Sequence, residues 1–431
     1  MLYRKIQNSL SGMLYTVSLL TFSVLSSGCT GQNERKPDQA TITVEAESFI
    51  SNSGNISIVN EKKNVVSIQT HEDEAWLSYK INVPVSGRYS IRVFGKNGST
   101  KEALCWIEDY IDNKDGRTYN VSGNLFFGNK DTQSFTQKDG TPLTASPHYL
   151  KLHVEKGTAV IDKVTFTLIR EHKASPLVVY SKTAGKEWQL LWSDEFDGQG
   201  LPDSTKWTFD IGDWGWGNNE LQYYTCNRVE NARQENGNLV LEARKNDHGF
   251  SWSSARLTTR GKQSFLYGKI EFRAKVPVGR GSWAAGWLLG DQYIDEMSWP
   301  YCGEIDVLEN VGYEIDPLTG NGKTHASIHC GAYYFKLRNQ PTAITEVDNM
   351  SNAFHTYAME WLPTGMTMFV DGRKYFDYHD TSSKLSWPFD KPQNLILNLA
   401  IGGGWGGTKG IDSTLTSQKM IVDYVRVYEL K

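Results

Sequence analysis

Glu304, Asp306 and Glu309 stand within six residues of one another, in the run Gly303-Glu304-Ile305-Asp306-Val307-Leu308-Glu309-Asn310. Three acids in a β-branched, apolar stretch have the chemistry for proton transfer and nucleophilic attack. On a regular strand residues two apart share a face, so Glu304 and Asp306 point together and Glu309 falls on the other side. A β-bulge at Val307 or Leu308 resets the alternation and returns Glu309 to the face of the other two. Ile305 and one of the bulge pair then enter the core. Repulsion and desolvation oppose three ionised carboxyls side by side, so one is expected protonated beside one kept as carboxylate. That pairing is a general acid beside a nucleophile.

Two carboxyls roughly 5–5.5 Å apart, with an oxocarbenium-like transition state between them, suit hydrolysis of a glycosidic bond with retention. A solvated acidic face on an exposed strand would carry the same residues. Trp299-Pro300 before the run and Gly303 beside it supply an aromatic wall and a tight backbone approach, which a solvated strand does not require.

The stretch Cys302-Gly303-Glu304-Ile305-Asp306-Val307-Leu308-Glu309-Asn310 resembles the signature of glycoside hydrolase family 16 in its bulged form. Four other stretches are similar to the laminarinase-like, endo-β-1,3-glucanase branch: Gly215-Trp216-Gly217-Asn218-Asn219-Glu220-Leu221-Gln222-Tyr223-Tyr224, Ser254-Ala255-Arg256-Leu257, Phe354-His355-Thr356-Tyr357 and Asn398-Leu399-Ala400-Ile401-Gly402-Gly403. The similarity runs from about Trp188 to the C-terminus. Trp283-Ala284-Ala285-Gly286-Trp287 departs from the family's Trp-Pro-Ala-Phe-Trp, and the loop Asp291 to Ser298 is altered. These departures bear on substrate rather than on the reaction.

The resemblance implies Glu304 as nucleophile, Asp306 as the residue that positions it and moderates its charge, and Glu309 as acid/base. It implies a concave β-jelly roll whose open groove suits internal cleavage of a long β-1,3 or mixed-linkage glucan. Trp283, Trp287 and Trp299 are read as sugar platforms, with core filling as the other reading. Arg256 and Asn218 match family positions that contact substrate, and His329 is read either as a cleft hydrogen-bond donor or as an ordinary β-sheet histidine. No catalytic metal is expected, because carboxylates alone complete the route. A structural calcium is implied at Glu195, the backbone of Gly237 and Asp423, joining early and late strands.

A chain of 431 residues, 22% charged with net charge −4, has room for two or three domains. Its Lys and Arg residues are dispersed, which excludes nucleic acid as a partner. Arg4 and Lys5 precede an apolar run from Met13 to Leu25 and then Ser26-Ser27-Gly28-Cys29. This reads as an export signal over residues 1–28 whose end resembles a bacterial lipobox. Lipidated Cys29 would anchor the exported chain to the cell envelope through a tether at 29–40. Cys105, Cys226, Cys302 and Cys330 form no Cys-x-x-Cys pair; free thiols are one reading, and because export permits disulfides a bond is the other, with Cys302 and Cys330 near strands that could be neighbours.

Short alternating runs such as Trp76-Leu77-Ser78-Tyr79-Lys80-Ile81 and Arg88-Tyr89-Ser90-Ile91-Arg92-Val93 make residues 41–170 a β-sandwich. Val44-Glu45-Ala46-Glu47, Val83-Pro84-Val85-Ser86-Gly87-Arg88-Tyr89 and Val160-Ile161-Asp162-Lys163-Val164 resemble a family 6 carbohydrate-binding module. That resemblance implies a calcium at Glu47 and Asp162, against a solvated acidic pair as the other reading. Trp106 and Tyr110 are the candidates for stacking on sugar there, and Trp76 is read as core. Residues 171–186 are the expected linker and 187–431 the catalytic jelly roll, so the fold class is all-β throughout and the chain is expected to act as a monomer. Two other functions remain open: an agarase or porphyranase acting on red-algal galactan, and a non-catalytic glycan-binding protein, which would be expected to lose one of the acids.

Overall fold

Alternating sequences become paired strands throughout the described residues of the computed structural model, which are 40–60, 66–70, 75–98, 102–110, 118–128 and 135–431. The expected signal segment, Cys29 and the tether up to residue 39 lie outside them. The helical elements among the described residues are the single 3-10 turns Ala46–Ser48, Gly312–Glu314 and Phe335–Leu337. None of these is long and apolar enough to cross a membrane.

Two six-stranded sheets form the first sandwich. One is ordered Phe135–Leu143, Gly87–Asn97, Ala159–Glu171, Val66–Thr70, Ile56–Asn60, with Thr41–Glu45 also on Ala159–Glu171. The other is ordered Ser51–Ser53, Ala75–Asn82, Pro147–Lys156, Ala103–Tyr110, Thr118–Asn120, with Leu125–Phe127 also on Ala103–Tyr110. Alternation decides which side chains meet between the sheets: Leu77, Tyr79 and Ile81 from one, Tyr89, Ile91 and Val93 from the other. Trp76 is on the opposite face from Leu77 and is partly exposed, with Lys151 Nζ 5.0 Å from its ring centre, so it is not a core residue.

The second sandwich packs a nine-stranded sheet on a ten-stranded one. The nine-stranded sheet runs Leu177–Tyr180, Gln263–Leu266, Gln393–Ile401, Ser282–Gly290, Glu304–Val311, Gly322–His329, Thr342–Val347. Arg256–Thr258 also pairs with Gln393–Ile401 and carries Thr208–Asp210 on its outer side. Leu177–Tyr180 lies inside the stretch read as a linker, yet it pairs in parallel with Gln263–Leu266.

Every residue of Gln393–Ile401 is buried because both faces are covered. Leu395, Leu397, Leu399 and Ile401 enter the core between the sheets, which leaves Asn394, Ile396, Asn398 and Ala400 on the concave side. The same alternation in Ser282–Gly290 sends Ala284 and Leu288 inward and Trp283, Ala285, Trp287 and Leu289 to the concave side.

The apolar cluster of the first sandwich continues into Leu289, Tyr293, Trp299, Cys302, Tyr334 and Ile396 of the second. Polar contacts flank it: Tyr119 donates to the Trp299 carbonyl at 3.2 Å, Lys138 Nζ lies 2.9 Å from Asp213 Oδ2, and Thr144 N donates to Asp295 Oδ2 at 3.1 Å. The backbones also approach closely. A Cβ on Gly140 would fall 2.1 Å from the Ile211 oxygen. Domains joined by a continuous apolar interface are held against free swinging. Cys105, Cys302 and Cys330 are free and buried, whereas Cys226 is disulfide-bonded and so departs from the free-thiol reading.

Candidate active site

The strand Glu304–Val311 carries the bulge that its acids require. Against its neighbour, Asp306 pairs with Ser327 and Glu309 with His325, so three steps on one strand match two on the other. On the other side Trp287 pairs with Asp306 and Gly286 with Leu308, leaving Val307 as the extra residue. Ile305, Val307 and Leu308 are all buried in the core, so both bulge residues pack there rather than one. Glu304, Asp306 and Glu309 line one cleft on the concave sheet. The strand is entered through Gly303 at φ +82°, where a Cβ would stand 2.7 Å from Phe389 Cε1.

Tryptophan indoles hold the two glutamates. Trp299 Nε1 donates to Glu304 Oε2 at 2.9 Å, and Trp283 Nε1 donates to Glu309 Oε1 at 3.1 Å. His329, directly across the strand pair from Glu304, places Nε2 3.3 Å from Asp306 Oδ2 and 3.8 Å from Glu304 Oε1. Glu304, Asp306 and His329 offer atoms all within 4.8 Å of one another, the one cluster of metal-ligating type among the described residues.

Burial first, then the charge of Asp306, pushes the Glu304 carboxyl up to about 8, while His329 and the Trp299 N–H pull against the shift. Burial holds Asp306 well above the ordinary carboxylate range. Glu309 is held well above it too, by burial first and then by the neighbouring charges. The trio therefore keeps protons where isolated carboxyls would be ionised.

The other expected contact residues converge here with unequal roles. Trp283, Trp287, Trp299, Arg256 and Asn218 all line the cleft. Trp287 is set by a polar chain: its Nε1 donates to Asn398 Oδ1 at 2.7 Å, Asn398 Nδ2 donates to Tyr224 OH at 3.0 Å, and that hydroxyl faces Glu220 Oε2 at 3.4 Å. Trp299 is only 7% exposed and is boxed by Tyr334, Phe335 and His329. Its indole N–H is thus its clearest service to the site. Arg256 donates to Asp210 Oδ2 at 3.0 Å and stands over the rings of Trp287 and Trp216 at 4.7 and 4.8 Å.

Glu220, Tyr293, Glu296 and Lys336 also line the cleft and were not singled out from sequence as site residues. Glu220 lies in a quoted family-like stretch and could have been found there. Burial pushes its carboxyl up to about 7. Tyr293 and Glu296, joined by a 2.8 Å hydrogen bond, sit in the altered loop, where spacing gives no signal of facing.

The expected calcium ligands stand differently. Asp194 pairs with Val425 and Leu239 with Val422, so Glu195, Gly237 and Asp423 come to one region of the ten-stranded sheet. Glu195 Oε2, however, is 2.7 Å from Arg426 Nη2, and Asp423 is ion-paired to Arg273. As the side chains stand, cations of the protein occupy both carboxylates and the set does not fit an ion. Glu47 is exposed in its 3-10 turn, and Asp162 Oδ2 lies 3.9 Å from Lys163 Nζ. No cluster of three metal-ligating side chains includes either among the described residues.

A profile of the family described as Glycosyl hydrolases family 16 matches residues 219–426. The chain is 45% identical over 249 residues to a β-glucanase of Rhodothermus marinus, covering 56% of this chain and 85% of that protein. It is 36% identical over 252 residues to a glucan endo-1,3-β-glucosidase of Cryptopygus antarcticus, covering 55% of this chain and 88% of that one. The solved structure of a laminarinase from Rhodothermus marinus is similar at a TM-score of 0.53 and 44% identity, over 56% of this chain and 98% of that chain.

Proposed function

Since the chain belongs to glycosyl hydrolases family 16, we propose that its cleft hydrolyses internal β-1,3 bonds of laminarin-like and mixed-linkage β-glucans by double displacement. The observation that carries this reading is the bulged strand, which turns Glu304, Asp306 and Glu309 into one cleft with an indole N–H on each glutamate. The Glu304 carboxylate attacks the anomeric carbon and forms a glycosyl ester as the glycosidic bond breaks, and the leaving oxygen takes the proton of Glu309. Glu309, now ionised, takes a proton from water, which attacks the same carbon and releases Glu304. Asp306 sits between them and tunes the charge of Glu304. Trp283 and Trp287 offer ring faces to sugar, Trp299 orients Glu304, and Arg256, Asn218 and His329 offer hydrogen bonds. Product analysis on laminarin, barley β-glucan, agarose and porphyran tests the reading: laminarin-derived oligosaccharides of mixed length support it, and cleavage of a galactan alone overturns it.

Residues 41–170 are proposed as a separate glycan-binding domain of the family 6 carbohydrate-binding type, joined through 171–186 to the catalytic domain at 187–431. What supports this is the outer face of its second sheet. Trp76, His153 and Trp106 stand in register across three strands. Trp106 stacks on His153 at 4.0 Å, and Lys151 lies 4.4 Å from the Tyr110 ring centre. Trp106→Ala should lose retardation in glucan affinity gels; unchanged retardation would remove that face from consideration. Export and lipidation at Cys29, with the chain monomeric on the envelope, are proposed from the amino-terminal sequence. Labelling with radioactive palmitate that disappears in Cys29→Ser tests the anchor.

A further inference from the structure

The strand Gly87–Asn97 alternates Tyr89, Ile91 and Val93 into the core of the first sandwich, which sends Arg88 to the other face. There it meets the catalytic cleft. Arg88 Nη2 lies 3.6 Å from Asp210 Oδ1, while Arg256 Nε holds the other oxygen of the same carboxylate at 3.0 Å. The Arg88 guanidinium also stands 5.5 Å from the ring centre of Trp216 and 5.8 Å from that of Tyr293. Trp216, Tyr293 and Arg256 all line the cleft, and Arg88 does not. Asp210 lies on the strand four steps across the sheet from the catalytic strand, through Arg256–Thr258, Gln393–Ile401 and Ser282–Gly290. At about 4.8 Å per strand this end lies ~19 Å from the catalytic strand, measured along the sheet.

Resting on the functional reading above, we propose that Arg88 is a positioning residue of the catalytic cleft: by sharing Asp210 with Arg256 and bracing Trp216 and Tyr293, it makes the amino-terminal sandwich complete one end of the substrate site. Two cations on one buried carboxylate fix its rotamer, and the fixed carboxylate fixes Arg256 over Trp287 and Trp216. Trp216 itself adopts φ +53° between Gly215 and Gly217, both also at positive φ, so its backbone is strained and depends on its surroundings to hold the ring in place. Without Arg88, Asp210 keeps the fields of Arg260 and Arg170 but loses the cation beside its Oδ1, so its carboxylate can turn and draw Arg256 away from the groove. The effect is on binding at the cleft end, not on the bond-breaking step.

The test uses the full chain with Arg88→Ala, Arg88→Lys and, as a control on the interface alone, Lys138→Ala, whose ion pair to Asp213 lies outside the cleft lining. Arg88→Ala should raise KM for laminari-oligosaccharides by about three- to tenfold, with kcat little changed, as expected for loss of one ion pair and two cation–π contacts. Arg88→Lys should recover part of that loss, because it keeps the charge but not the planar fork. Lys138→Ala should lower the melting temperature and leave KM alone. Equal rises in KM for Arg88→Ala and Lys138→Ala, or an unchanged KM in Arg88→Ala, would overturn the proposal. The same variants are titrated by tryptophan fluorescence with whichever of the laminari-, mixed-linkage and galactan oligosaccharides the wild-type chain binds. A wild-type chain that cleaves only galactan thus overturns the functional reading while the Arg88 comparison still decides this one.

Discussion

At the scale of single residues the site asks opposite protonation states of two glutamates in similar, buried surroundings. Glu304 needs to lose its proton to attack, and Glu309 needs to keep its own to assist departure. Glu304→Gln and Glu309→Gln should each lower kcat on laminarin by about 10²–10⁴-fold while circular dichroism stays that of wild type. Near-normal turnover in Glu304→Gln would remove it as nucleophile. Because Glu304 is pushed up to about 8, by burial and then by Asp306, the acid limb of the kcat/KM profile should lie above the ordinary carboxylate range. Activity rises with pH through that limb, as the nucleophile ionises. Asp306→Asn removes the neighbouring charge, so its loss of rate should be smaller and its acid limb should move down. An acid limb unmoved by that change would deny the coupling. The indole donors Trp283 and Trp299 were visible in the sequence only as aromatic residues near the acids. That their N–H groups, and not only their faces, serve the site depends on a ring orientation that spacing does not encode.

At the scale of elements the bulge was legible because the acids themselves demand it: no regular strand turns residues 304, 306 and 309 to one side. Deleting Leu308 should rotate Glu309 out of the cleft and abolish hydrolysis in protein that still folds, as judged by its near-ultraviolet spectrum. A folded deletion variant cleaving laminarin at the wild-type rate would break the geometric argument. Trp76 was misread although its alternation partners Ser78 and Lys80 already pointed it outward; its size suggested core, and in a sheet with one open face the period outweighs size. Leu177–Tyr180 was hidden in the expected linker because four residues give no usable period, and a parallel partner 86 positions further on leaves no local trace. Tyr293 and Glu296 were illegible for a related reason. Loop residues acquire a facing only when the sandwich and the sheet close around them.

At the scale of the whole molecule the two sandwiches share an apolar cluster that ends under the cleft, so the catalytic groove is built partly by what packs behind it. The sequence divided the chain into two all-β regions but could not say which surfaces meet, because Arg88 and Asp210 are 122 positions apart and the module-like stretch that holds Arg88 carries no sign of what that side chain faces. The buried acids also weigh on the stability of the whole fold. A carboxyl raised from its unfolded value to about 8 contributes fully below the unfolded value and loses that contribution as pH rises through about 8. Glu304→Gln has no such loss, so its melting temperature should gain on wild type between pH 5 and pH 9 by ~2 °C or more, about 1 kcal/mol for a domain of this size. A constant difference across that range would mean that Glu304 is ionised throughout. The central claim is that these acids cleave β-glucan by two displacements at one carbon, and proton NMR of the anomeric signals during laminarin hydrolysis tests it most directly. The account predicts that the new reducing end first appears in the β configuration and only later equilibrates. First appearance of the α anomer would contradict it.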